Sequence, residues 1–137
     1  MTKFADIPQP KPQPRILLVD DEESILKIIG KQLEVAGFVV LKALDGEEAL
    51  AAAKAQRPDL IVLDLMLPRR NGFDVCTTLK NDPEYRHIPI IIFTGKGSYG
   101  DVQLSRKCGA DLYLSKTPVT ARLISQIRSL LAKPSGP

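Results

Sequence analysis

Five polar residues stand at the ends of apolar runs. Asp20 and Asp21 follow Ile16-Leu17-Leu18-Val19, Asp64 follows Leu60-Ile61-Val62-Leu63, Thr94 follows Ile90-Ile91-Ile92-Phe93, and Lys116 closes Asp111-Leu112-Tyr113-Leu114-Ser115. One such residue says little, because loops open on polar residues, and Asp20-Asp21 alone reads as acids in the first turn of a helix. The set says more. Three carboxylates brought together repel, and a pair ~4 Å apart costs about 4 kcal/mol at an effective dielectric of about 20. The repulsion is relieved when one group keeps its proton or a cation binds. Mg²⁺ prefers oxygen ligands and is typically held by one or two carboxylates, with waters and phosphate oxygens completing its shell. A phosphoryl group suits the other two residues, since Lys116 offers a compact positive charge and Thr94 a hydroxyl donor. A carboxylate also serves as the nucleophile in phosphoryl transfer, giving an aspartyl phosphate. Asp64, central among these residues, is the candidate acceptor.

These side chains meet only if the runs are parallel strands of one sheet. The pattern between them supports this. Ile25, Ile28, Ile29, Leu33 and Ala36 recur at helical spacing and Gly37 stops that helix. Strands are expected at 16–19, 38–43, 59–64, 88–94 and 111–116. Helices are expected at 46–56, rich in strong helix formers, from Asn71-Gly72 to about Lys80, at 98–108 with a weaker pattern, and from Val119 through Leu131. Strands alternating with helices imply a parallel sheet covered on both faces. The runs at 16–19, 60–63 and 90–93 are apolar throughout and belong in its centre, whereas Lys42 and Ser115 mark the second and fifth strands as edges. A doubly wound, flavodoxin-like α/β fold of five parallel strands in the order 2-1-3-4-5 meets these conditions. It gathers the carboxyl ends of the strands beside the switch in strand order, where ligands bind.

The chain resembles the receiver domain of bacterial two-component response regulators. The resemblance rests on "LLVDDE", "PDLIVLDLMLPRRNG", "IPIIIFTG" and "GADLYLSK", in family order and spacing across about 15–132. It implies a phosphorelay switch in which Asp64 accepts phosphate from a phosphohistidine on a partner histidine kinase or phosphotransfer protein. It implies that Asp20 and Asp21 are the family's acidic pair. Asp21, Asp64 and the main-chain carbonyl of Met66 would then contact Mg²⁺, and Thr94 and Lys116 the phosphate. Tyr113 matches the aromatic whose rotamer reports phosphorylation, and Pro68 and Gly72 match the loop that shapes the site. Thr94 and Tyr113 would act as the switch that alters the surface of helix 98–108, strand 111–116 and helix 119–132 for an output protein. Two positions depart from the pattern: Thr117 stands between Lys116 and Pro118, where the family usually has proline directly after the lysine, and Gly95 follows Thr94 without a side chain. The family also implies that such a domain catalyses its own phosphotransfer and dephosphorylation rather than acting as an enzyme on other substrates. An aspartyl-phosphate hydrolase of similar topology would carry a second acid two residues after the nucleophile, where this chain has Met66.

The rest of the sequence narrows the setting. A chain of 137 residues, 44% apolar, suits one domain with a real core. Residues 1–14, with Pro8, Pro10, Pro12 and Pro14, and residues 133–137 read as flexible tails. No apolar run approaches the ~18 residues of a membrane span and the N-terminus lacks a signal-peptide core, so a cytoplasmic location is expected, with no membrane partner. The net charge of +3 is spread without a basic patch, so nucleic-acid binding by this domain is not expected. Cys76 and Cys108 lack metal-type spacing and read as reduced structural thiols. The single histidine, His87, lies in a loop, so the donor histidine must come from another molecule. No output domain follows Leu131, so output is expected through protein contacts or from a longer chain.

Overall fold

The apolar runs become strands wherever both faces can be buried. In the computed structural model, which describes residues 13–95, 103, 106–116 and 120–133, the elements run β1 (Arg15–Val19), α1 (Glu23–Val35), β2 (Val39–Ala43), α2 (Gly46–Gln56), β3 (Leu60–Leu63), α3 (Gly72–Lys80), β4 (Ile90–Thr94), β5 (Leu112–Ser115) and α4 (Ala121–Ala132). The strands form one sheet in the order β2-β1-β3-β4-β5, parallel throughout. β3 and β4 are buried along their whole length, and β1 after its first residue, whereas β2 and β5 keep exposed positions. This is the sequence-predicted arrangement.

Side-chain alternation splits the core into two layers. On one face Leu17, Val19, Ile61, Leu63, Ile90 and Ile92 pack against Ala49 and Ala53 of α2 and Val75 and Leu79 of α3. On the other, Ile16, Leu18, Leu60, Val62, Ile91 and Phe93 meet Leu26, Ile29 and Leu33 of α1 and Leu123 and Ile127 of α4. Cys76 and Cys108 are both buried, and the Cys76 thiol donates to the Cys108 carbonyl at 3.4 Å. Its hydrogen bonding with Cys108, reinforced by burial, pushes the Cys76 thiol above the ordinary range.

The elements end on identifiable devices. Gly37, at φ 103, reverses the chain after α1 in the left-handed conformation that glycine adopts freely. Asp45 caps α2 by accepting from Glu48 N–H at 2.8 Å, and Asn71 caps α3 by accepting from Asp74 N–H at 2.9 Å. Pro14 joins the sheet edge through its carbonyl, which accepts from Val39 N–H at 2.9 Å. Of the helix expected at 98–108, Gln103, Arg106 and Lys107 are helical, and 98–102, 104 and 105 lie outside the described residues. So do most of the two tails, and Thr117 and Pro118 after Lys116. Among the described residues no helix is long and apolar enough to cross a membrane.

Glycine 72 shows how tightly the loop after β3 is folded, since a Cβ there would lie 2.1 Å from the Asp64 carbonyl oxygen. Gly72→Ala is expected to cost about 1–3 kcal/mol, the usual range for overpacking. At Gly95 a Cβ would meet nothing within 4 Å, so Gly95→Ala should stay within about 0.5 kcal/mol of wild type. Urea unfolding of the two variants checks both; equal stabilities would contradict the packing described.

Candidate functional site

Register decides which strand-end residues meet. Val19 pairs with Leu63, so Asp20 and Asp64 leave neighbouring strands side by side. Their backbones stay tied to the sheet: Asp20 N–H donates to the Ala43 carbonyl at 3.2 Å and Asp64 N–H to the Val19 carbonyl at 3.1 Å. Thr94 pairs with Ser115, and Lys116 N–H donates to the Thr94 carbonyl at 2.7 Å. Asp20, Asp64 and Thr94 are buried, while Asp21 is exposed. Carboxylate oxygens of Asp20, Asp21 and Asp64 all lie within 4.8 Å of one another.

How the crowded charges are tolerated follows from their partners. Asp20 Oδ1 accepts Glu22 N–H at 2.9 Å and Asp64 Oδ1 accepts Leu65 N–H at 2.8 Å. The Oδ2 atoms share one cation: Lys116 Nζ lies 2.5 Å from Asp20 Oδ2 and 3.1 Å from Asp64 Oδ2. Burial works to lower the pKa of the Lys116 ammonium, but the hydrogen bond to Asp20 and the charge of Asp64 outweigh it and leave the pKa raised. The helix-start reading of Asp20 does not hold: α1 begins at Glu23 with Glu22 as its cap residue, and Asp20 Oδ1 closes a turn ahead of the helix while Oδ2 belongs to the cluster. The lysine itself is an internal cation, a relief of the repulsion that the sequence did not single out.

The remaining candidate residues lie in the loop after β3, on the sheet face and at the far edge. Met66 lies in the loop after β3 with its side chain exposed. Leu67 N–H and Gly72 N–H both donate to the Leu65 carbonyl, at 3.2 and 3.0 Å, and fold the loop over the carboxyl end of β3. Tyr113 pairs in register with Ile92 and packs, partly buried, with the α2–α3 core layer. Thr94, two residues beyond Ile92, is on that same sheet face. His87 lies at the opposite edge, where a cleft of about 450 Å³ is lined by His87, Pro89, Asp59 and Asp111. Asp45 and Arg69, which sequence reasoning passed over, meet beside the loop: Arg69 Nε and Nη2 donate to Asp45 Oδ2 at 2.9 and 2.6 Å. The cap itself was legible in Asp45-Gly46-Glu47-Glu48, an acid followed three residues later by glutamate. Nothing local announces a partner 24 residues away.

An open, doubly wound parallel sheet places its ligand crevice at the carboxyl ends of its strands, where this chain has its acidic cluster and one lysine. The family model "Response regulator receiver domain" matches residues 16–128, and the chain belongs to that family. The DNA-binding dual master transcriptional regulator RpaA of Synechocystis sp. is 39% identical over 120 residues, covering 88% of this chain and 50% of the relative. The polar-differentiation response regulator DivK of Brucella anthropi is 37% identical, covering 85% of this chain and 94% of the relative. The chain thus spans about half the length of RpaA and of several other curated relatives it matches. Among solved structures, the receiver domain of the sensor histidine kinase PA1611 from Pseudomonas aeruginosa superposes with a TM-score of 0.83 at 28% identity, covering 89% of this chain and all of that one. That structure has a magnesium ion coordinated in its active-site cleft. The chain is a signalling domain of the two-component, phosphorelay response-regulator type.

Lys116 is the cation that pairs two buried carboxylates. Lys116→Ala is expected to lower metal-free stability by about 3 kcal/mol, the low end for a broken buried pair, because the lysine side chain is itself 20% exposed. Urea unfolding in a chelator checks this, and a loss below about 0.5 kcal/mol would match an ordinary surface pair instead.

Proposed function

We propose that Asp64 is the phosphoacceptor of a phosphorelay and that Mg²⁺ binds beside it. The observation that carries this reading is the cluster of Asp20, Asp21 and Asp64 oxygens within 4.8 Å of one another, with Lys116 paired to two of them. The donor set fits the ion: it consists of hard oxygens with an exposed Asp21 on the open side. Asp21, Asp64 and the Met66 carbonyl would hold it, with Asp20 alongside. When bound, the cation offsets the carboxylate charge and draws phosphoryl oxygens to the site.

The protein's own residues do the remaining work. An Asp64 carboxylate oxygen attacks the phosphorus of a phosphohistidine on a histidine kinase or phosphotransfer protein. The O–P bond forms, the N–P bond breaks, and the leaving imidazole keeps the electron pair and takes a proton from water. Lys116 then trades its contact with Asp64 for a phosphoryl oxygen, and the Thr94 hydroxyl donates to another. The space beside Gly95 gives water access for hydrolysis of the acyl phosphate, so the domain resets itself. His87, at the far edge of the sheet, takes no part. A phosphohistidine made from ATP also implies a cytoplasmic location.

Signal leaves through Thr94 and Tyr113. As Thr94 turns toward the phosphate, it vacates space on the face it shares with Tyr113. The ring moves inward, and the surface of segment 98–108, β5 and α4 changes for an output partner. The shift requires that phosphate favour one of two states.

Incubating the protein with a small acyl phosphate and Mg²⁺ should add one phosphoryl group, located on Asp64 by mass spectrometry. Asp64→Asn should abolish it; label on another residue of the wild-type protein would refute the assignment. A phosphoryl mimic should shift amide resonances across 106–116, and Thr94→Ala should sharply reduce those shifts while the mimic still binds. Undiminished shifts would sink the Thr94–Tyr113 link and leave the acceptor chemistry standing.

A further inference from the structure

Arg69 sits in a conformation that needs a reason. Its φ is 64, the left-handed region that glycine occupies freely and other residues rarely. A glycine at this position would remove the strain. The arginine side chain is 67% exposed, yet its fork closes on a carboxylate that is almost wholly buried, Asp45. Asp45 has both oxygens engaged, Oδ1 with Glu48 N–H and Oδ2 with the guanidinium. The cap from Glu48 N–H and the Arg69 charge hold the Asp45 carboxyl below the usual range.

The pair belongs to a larger seam between α2 and the loop after β3. Gly46 N–H donates to the Pro68 carbonyl at 3.4 Å, and a Cβ on Gly46 would lie 1.9 Å from the Arg70 carbonyl oxygen. Arg70 bridges Glu47 of α2 and Asp74 of α3, at 2.7 and 2.9 Å. The loop between Asp64 and Gly72 is therefore held at its base by Leu65 and on its flank by the first turn of α2. Met66 lies between the two anchors, and among the described residues no hydrogen bond is made to its carbonyl.

We infer that the Asp45–Arg69 ion pair is a positioning device for the Mg²⁺ site: it locks the 65–71 loop so that the Met66 carbonyl is preorganised toward the carboxylates. This rests on the Mg²⁺ reading given above. It assigns a role to the strain, since an arginine forced into the left-handed region reaches the α2 cap from the loop, which glycine could not. Outer-shell partners of this kind commonly change metal affinity by 10- to 100-fold.

Two substitutions separate positioning from simple stabilisation. Arg69→Gly removes the pair and the strain together. Asp45→Asn keeps an amide oxygen for the α2 cap, since asparagine is as good a cap as aspartate, and loses the charge. Calorimetric titration of MgCl₂ into the full chain is expected to show affinity about tenfold weaker for Arg69→Gly, similarly weaker for Asp45→Asn, and no weaker for the double variant, because both remove one interaction. Metal-free Arg69→Gly loses the partner of a buried carboxylate together with the backbone strain, and it should still show a cooperative urea transition starting from a folded baseline, so that its weaker Mg²⁺ binding is not loss of structure. Mg²⁺ affinity of Arg69→Gly within about twofold of wild type overturns the inference, whatever Asp45→Asn does. If the wild-type protein binds no Mg²⁺, or Asp64→Asn binds it equally well, the reading of the site fails and this inference fails with it. Wild-type binding that depends on Asp64, with Arg69→Gly unchanged, removes the inference alone.

Discussion

Three carboxylates held at the ends of adjacent strands are a charge arrangement that no fold tolerates without compensation. Here the compensation is a lysine brought from the far end of the chain in sequence. Lys116 contacts Asp20 and Asp64 at once, and it can do so only because β5 lies next to β4 and β4 next to β3. Sheet order, ladder register and the tie from Lys116 N–H to the Thr94 carbonyl all serve that placement. On the proposed reading, an ammonium so placed is a placeholder as well as a partner. The proposed cation and phosphoryl group supply charges that let it exchange one carboxylate for a phosphoryl oxygen without leaving the cluster unbalanced.

The backbone around the cluster is more constrained than the cluster itself. The loop after β3 has a glycine where a single added carbon would strike the Asp64 carbonyl, and α2 has a glycine where one would strike the Arg70 carbonyl. Close approaches of this kind leave the loop few alternative positions, as close-packed interiors generally do. Rigidity on this side contrasts with the opposite side of the site. There Gly95 faces open space, and the proposed switch passes from Thr94 to Tyr113 toward an edge strand. A binding site that is fixed on the metal side and adjustable on the output side is the physical requirement for turning a local charge change into a change of surface.

Much of this was legible in the sequence for specific reasons. The central strands are apolar at every position because both their faces are covered, so they stand out without a periodicity test. Asp20, Asp21, Asp64, Thr94 and Lys116 could be grouped because a parallel sheet puts all carboxyl ends on one edge. Helix bounds at 46–56 and 72–80 agreed with the structure because cap residues and a following proline or asparagine mark them. The third and fifth strands were read one residue too long at each polar end, since the residue that ends a ladder and the one that opens a loop have the same chemistry; the second and fourth were begun one and two residues early, at Phe38 and Ile88, and the first one residue late. What stayed hidden was tertiary pairing. No local pattern says that Lys116 bridges two carboxylates in the metal-free site, or that Arg69 reaches Asp45. Arg69 in particular looks like one more loop charge until its backbone conformation is seen.

The acidic cluster is balanced by Lys116, and on the proposed reading it gives up part of that contact when Mg²⁺ and a phosphoryl group arrive. A crystal structure of the protein with Mg²⁺ and a phosphoryl mimic on Asp64 tests it most directly. The expected result is a cation contacting Asp21, Asp64 and the Met66 carbonyl, with Lys116 Nζ moved from Asp64 Oδ2 onto the mimic. A mimic bound at Asp64 with Lys116 still joined to both Asp20 and Asp64, or a cation held away from the three carboxylates, would contradict it.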